Sequence, residues 1–154
     1  LLLIAGTETT TNLLTNAMVV LDDQPSLRAA LVEDPRLIPG AIEEFLRLES
    51  PVQGLTRVTT APVEIGGVEI PQGERVLLLI GAANRDQRRF EVPDWFELSR
   101  QQRDHLAFGY GVHFCLGANL ARLEAKVGLE ETLRRMPDFS VKREGAARLV
   151  SGPI

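Results

Sequence analysis

A chain of 154 residues, 44% of them hydrophobic and 25% charged, has the composition of an ordinary globular domain, or of part of a larger one. Its 17 basic and 21 acidic residues leave a net charge of −4, which excludes the basic footprint of a nucleic-acid binder. The single cysteine excludes an intrachain disulfide and fits a reducing, cytoplasmic setting.

The opening run "LLLIAG" is too short for a membrane span and lacks the basic start of a signal peptide. It begins without a methionine and inside a helical pattern, so the expectation is a fragment with no membrane attachment. Leu2, Ala5, Leu13, Leu14, Ala17, Val20 and Leu21 recur at helical spacing. They predict one long, largely buried helix to about residue 21, interrupted by "GTETTTN". Pro25 suits the first position of a short helix ending near Glu33. A third helix is expected from about Ile38 to Leu48, stopping ahead of Ser50 and Pro51.

"LTRVTT", "VEIGGVEI" and "RVLLLI" are short, rich in β-branched residues and punctuated by Gly66-Gly67 and "PQG". They predict a small antiparallel sheet with hairpin turns. Residues 84 to 104 predict a long coil. A helix follows over Ala118 to Arg135, with Leu120, Leu123, Val127 and Leu133 expected on its buried stripe. Beyond Pro137 a strand "FSVKR", a turn at Gly145 and a last strand near Leu149 are expected. The fold class is mainly α with a small β-sheet, an α+β arrangement.

Four stretches carry chemistry. In "FGYGVHFCLG", Cys115 lies just ahead of a helix whose N-terminal dipole favours an anion. Gly109, Gly111 and Gly117 allow positive-φ backbone that turns amides toward the sulfur. A lone cysteine more often packs as a small hydrophobe. No second cysteine or suitably spaced histidine completes a zinc site, and a single thiolate suits a haem iron. In "AGTETT", an acid beside a hydroxyl, Glu8 next to Thr9, suits proton delivery, although such threonines often bond back to their own helix. Glu44 and Arg47 stand three apart on a helix, a pair of little weight on a surface. Arg57 and His113 are cationic, or potentially so, and suit carboxylate partners.

Taken together and in order, these stretches resemble the C-terminal part of a cytochrome P-450 of the soluble bacterial type. The matches are Ala5, Gly6, Glu8 and Thr9; Glu44 and Arg47; "ANRD" and "HLAFG"; and Phe108, Gly109, Gly111, Cys115 and Gly117. The resemblance covers essentially all of residues 1–154 and implies part of a single domain whose N-terminal half is absent. It implies a haem-thiolate monooxygenase that places one atom of dioxygen in an apolar small molecule, the other leaving as water. Heme b would be ligated by Cys115, with Phe108 and Gly117 beside it and Arg57 and His113 on its propionates. Glu8 and Thr9 would deliver protons, and Glu44–Arg47 would form a buried ion pair under the haem. Trp95 stands where relatives place an arginine that locks this pair, so Arg85 or a backbone carbonyl is the expected substitute. Ala5, Val52 and Gln53 would face substrate. Arg122 would dock a ferredoxin, itself served by a ferredoxin reductase. A peroxide-driven enzyme and a fragment inactive on its own are the alternatives; the Glu8–Thr9 pair argues against the first.

Overall fold

The computed structural model describes residues 2–101 and 103–144. Helix α1 (Leu2–Asp23) runs through "GTETTTN" without interruption. The Thr9 hydroxyl donates to the Ala5 carbonyl at 2.6 Å, the back-bonding by which a threonine is accommodated inside a helix. Only the second half of α1 is buried, through Leu13, Ala17 and Leu21 at successive intervals of four. Residues 5–8 are exposed, so the expectation of a largely buried helix fails there.

Helix α2 (Pro25–Glu33) starts on Pro25 and buries Leu27 and Leu31. The Asp34 carboxylate then accepts from the Arg36 amide and opens a single 3₁₀ turn, Pro35–Leu37. Helix α3 (Ile38–Leu48) is strongly amphipathic and buries Ile38, Ala41, Ile42, Phe45 and Leu46. It ends as expected before Pro51, with the Ser50 hydroxyl on the Leu46 carbonyl at 2.6 Å. These boundaries follow from local chemistry.

Strands β1 (Leu55–Val58), β2 (Val63–Ile65), β3 (Val68–Ile70) and β4 (Arg75–Leu78) pair antiparallel, as two separate ribbons. In β2–β3, Ile65 lies opposite Val68, so Gly66 and Gly67 alone make the turn. Their φ of 60° and 79° are those of a primed two-residue hairpin turn. In β1–β4, Arg57 lies opposite Val76. A short helix α4 (Ile80–Ala83) leads into irregular chain, as expected over residues 84–104.

Helix α5 (Ala118–Arg135) has the expected limits but a different buried face. Leu133 is buried as expected, but Leu120, Leu123 and Val127 are 58%, 57% and 50% exposed, and Ala118, Ala125 and Leu129 are buried instead. Small residues decide this. A Cβ on Gly128 would meet Leu14 Cδ2 at 3.1 Å, so α5 lies close against α1 on its small-residue side. The core joins α1, α2, α3 and α5. Residues 139–143 form no strand. Phe139 instead packs on the helical core, its ring 4.8 Å from the Arg28 guanidinium and its carbonyl bonded to Arg28 Nη1. The expected turn at Gly145 and strand near Leu149 lie outside the described residues.

Candidate haem-thiolate site

The loop from Phe108 to Gly117 folds on two positive-φ glycines, Gly109 at 73° and Gly111 at 70°. Its amides bond within the loop: Gly109 to the Leu106 carbonyl at 2.8 Å, Phe114 to Gly111 at 3.0 Å and Cys115 to Phe108 at 2.9 Å. These three amides are used on backbone carbonyls and not on the sulfur. Gly117 caps α5, which places Cys115 ahead of the positive end of that helix.

The Cys115 residue is exposed, and so are Tyr110, Val112, Phe114 and Leu116 around it in sequence. An exposed thiol among exposed apolar side chains suits a flat apolar cofactor that takes one sulfur ligand. A Cβ on Gly117 would stand 4.0 Å from the sulfur, ordinary contact. The residues present fit a haem.

A buried ion cluster joins α3 to the coil that approaches this loop. Glu44 accepts from Arg47 Nε at 2.7 Å and Nη2 at 2.9 Å. Arg47 places its remaining donors on the carbonyls of Asn84, Pro93 and Trp95, so all five of its N–H groups are used. The third charged member is Arg100, whose Nε lies 3.1 Å from Glu44 Oε1. That N–H is not aligned for a hydrogen bond, so attraction between charges carries the contact. The expected substitute Arg85 pairs elsewhere, with Asp94 at 2.8 Å and the Leu48 carbonyl at 2.9 Å. Carbonyls of Asn84, Pro93 and Trp95 do accept from Arg47, but they stand beside Arg100 and do not replace a missing arginine. Burial raises the Glu44 carboxyl, but Arg47, the Glu97 amide and Arg100 outweigh it and hold the group below its ordinary range.

Three further residues tie the cluster to the cysteine loop. Asn84, fully buried, donates to the Ser50 hydroxyl at 2.8 Å and accepts from the Leu106 amide at 2.6 Å. Glu43, next to Glu44 on α3, accepts from Arg122 on α5 at 2.7 and 3.0 Å and lies 3.1 Å from buried His105 Nε2. Burial pushes the Glu43 carboxyl up, yet His105 and Arg122 bring it down to about 2. Sequence reasoning missed Glu43, Asn84, Arg100 and His105 as site residues. Asn84 and His105 stood in the quoted motifs; Glu43 and Arg100 had only an acidic doublet and an arginine-rich coil as signals.

The remaining expected residues are spread over the exposed faces. Ala5 and Glu8 are exposed on α1, and Thr9 is half-buried beside them. Arg57 is exposed on β1, bonded to the Thr56 carbonyl, with no carboxylate partner among the described residues. His113 is exposed in the 3₁₀ turn Gly111–His113. Val52 is half-buried, and Gln53 turns its amide onto the Ser50 carbonyl at 2.7 Å.

Residues 1–147 match the family model described as cytochrome P450. The chain belongs to the cytochrome P450 family. Cytochrome P450 107B1 of Saccharopolyspora erythraea is 54% identical over 90% of this chain. The biotin biosynthesis cytochrome P450 of Bacillus subtilis is 49% identical over 92%. The chain spans 35% and 36% of those two P450 proteins. A solved P450BioI in complex with hexadec-9Z-enoic acid ligated acyl carrier protein superposes with a TM-score of 0.84 at 50% identity, covering 87% of this chain and 35% of that one. CYP109E1 of Bacillus megaterium in complex with testosterone gives 0.88 at 44%, covering 92% and 39%. P450 membership implies a haem on a cysteine thiolate, and Cys115 is the chain's one cysteine. No helix among the described residues is long and apolar enough to cross a membrane.

Proposed function

We propose that the full-length protein carrying these residues is a haem-thiolate monooxygenase acting on an apolar small molecule, with electrons from a ferredoxin and its reductase. The observation that carries this reading is the exposed Cys115 on a glycine-turned loop ahead of α5, in a chain of the P450 family. The molecules bound in the two solved relatives, hexadec-9Z-enoic acid on acyl carrier protein and testosterone, carry largely apolar groups and support that class.

Cys115 would supply the thiolate ligand to heme b, and the haem when bound would supply dioxygen activation and transfer of one oxygen atom. Phe108, half-buried and bonded through its carbonyl to the Cys115 amide, excludes water from one side of the sulfur. Gly117, with no side chain, leaves the space beside the sulfur open. Arg57 and His113, both exposed, bind the propionate carboxylates. Exposed Glu8 and the neighbouring Thr9 hydroxyl, which donates to the Ala5 carbonyl in this structure, would carry protons from solvent toward the bound reactant. Ala5, Val52 and Gln53 face the substrate.

The test is made on the purified full-length protein, reduced under carbon monoxide. The expected result is the red-shifted Soret band of a thiolate-ligated haem, lost in Cys115→Ser, and one labelled oxygen atom in the product from labelled dioxygen. A haem without the thiolate signature, or product with no label, overturns the reading.

A further inference from the structure

Arg122 does not stand free on the surface of α5. Its guanidinium makes a two-pronged bond to Glu43 and lies 4.5 Å over the ring of Phe108. The side chain is only a third exposed, and the carboxylate that holds it is nearly buried. Glu43 is held on its other side by His105, whose ring centroid is 6.0 Å from that of Phe108. Phe114 approaches the same ring at 6.3 Å. Phe108 is thus enclosed by a cation on its face and by two further rings, while its carbonyl receives the Cys115 amide. Each contact is modest on its own. Their convergence on one ring is the notable feature.

We infer that Glu43 and Arg122 are positioning residues: Glu43 aims the Arg122 guanidinium at Phe108, and the clamped ring fixes the Cys115 loop and with it the electronic state of the thiolate. This inference rests on the haem-thiolate reading. It assigns Arg122 an inward task where the sequence suggests only a docking charge. Planarity and the fork of donors matter for that task, since a lysine retains the charge but neither the two-pronged carboxylate bond nor the stacked plane.

Arg122→Lys separates the two tasks because it leaves formal charge unchanged. In the full-length holoprotein the measurements are the haem reduction potential, the electron paramagnetic resonance of the ferric state, and the affinity for a small acidic ferredoxin. The expected result is a shifted potential and altered resonance positions, with ferredoxin affinity within about twofold of wild type. The same substitution made on Phe108→Leu is expected to shift neither, because the ring that transmits the clamp is gone. Unchanged potential and resonance in Arg122→Lys overturn the inference, as does an equal shift in the Phe108→Leu background. Should the lysine variant take up no haem, Glu43→Gln is read by the same criteria. A wild-type protein without a thiolate Soret band would instead overturn the haem-thiolate reading itself.

Discussion

Glu44 is the residue on which most depends locally. It is buried with two arginines against it, and Arg47 has no donor to spare for any other anion. As a surface pair, Glu44–Arg47 would contribute a few tenths of a kcal/mol. Removing one member of a buried pair costs about 3–5 kcal/mol, since the partner charge stays desolvated. Glu44→Ala is therefore expected to lower unfolding stability by that amount and to abolish haem incorporation in the full-length protein. Urea unfolding and the ratio of haem to protein absorbance check the two parts. The Glu-x-x-Arg pattern is visible in the sequence; the third charge is not. Arg100 is one of several arginines in an irregular coil, and only the folded path of residues 91–100 brings it to Glu44. That path includes Val92 at a φ of 44°, costly for a β-branched residue, with Arg100 bonded to the Glu91 carbonyl at 2.8 Å beside it.

Among elements, α5 shows how far periodicity reaches. Its limits follow from Gly117 ahead of it and Pro137 beyond it, but it carries two apolar stripes and the sequence offers no rule for choosing between them. Packing chooses the side with Ala125 and Gly128, where backbones approach closely. Gly128→Val places two methyl groups against Leu14 on α1 and is expected to cost about 1–3 kcal/mol by overpacking. A lowered urea midpoint with unchanged slope in the full-length protein is the expected reading. A second close contact lies between α4 and the segment before β1, where a Cβ on Gly81 would fall 2.0 Å from Gln53 Oε1. Gly81→Ala is expected to expel the Gln53 amide from the Ser50 carbonyl, at a cost of about 1 kcal/mol for that hydrogen bond.

At the scale of the molecule, Glu43 couples α3, α5 and the coil before the cysteine loop. Folding lowers its carboxyl from 4.5 to about 2, although burial opposes this, because His105 and Arg122 hold the charged form. The unfolded chain therefore takes up the proton first as pH falls. The resulting stabilisation, on the order of 3 kcal/mol, is complete above pH 4.5 and disappears as pH falls toward 2. Glu43→Gln lacks this contribution, so the stability gap between it and wild type is expected to close over that window. Denaturant unfolding of both proteins at a series of pH values measures it.

The sequence by itself determined the helix limits of α2, α3 and α5, the glycine turn of β2–β3, the family, and Cys115 as the thiolate candidate. These are local matters: caps, prolines, positive-φ glycines and motifs a few residues long. The tertiary structure alone decided which face of α5 is buried, that residues 139–143 pack as coil, and that the four strands form two ribbons. It also decided that Asn84, Arg100, His105 and Glu43 converge from segments up to 62 residues apart. A buried charge is stable only where distant partners meet it, and no short window of sequence records which partners those are.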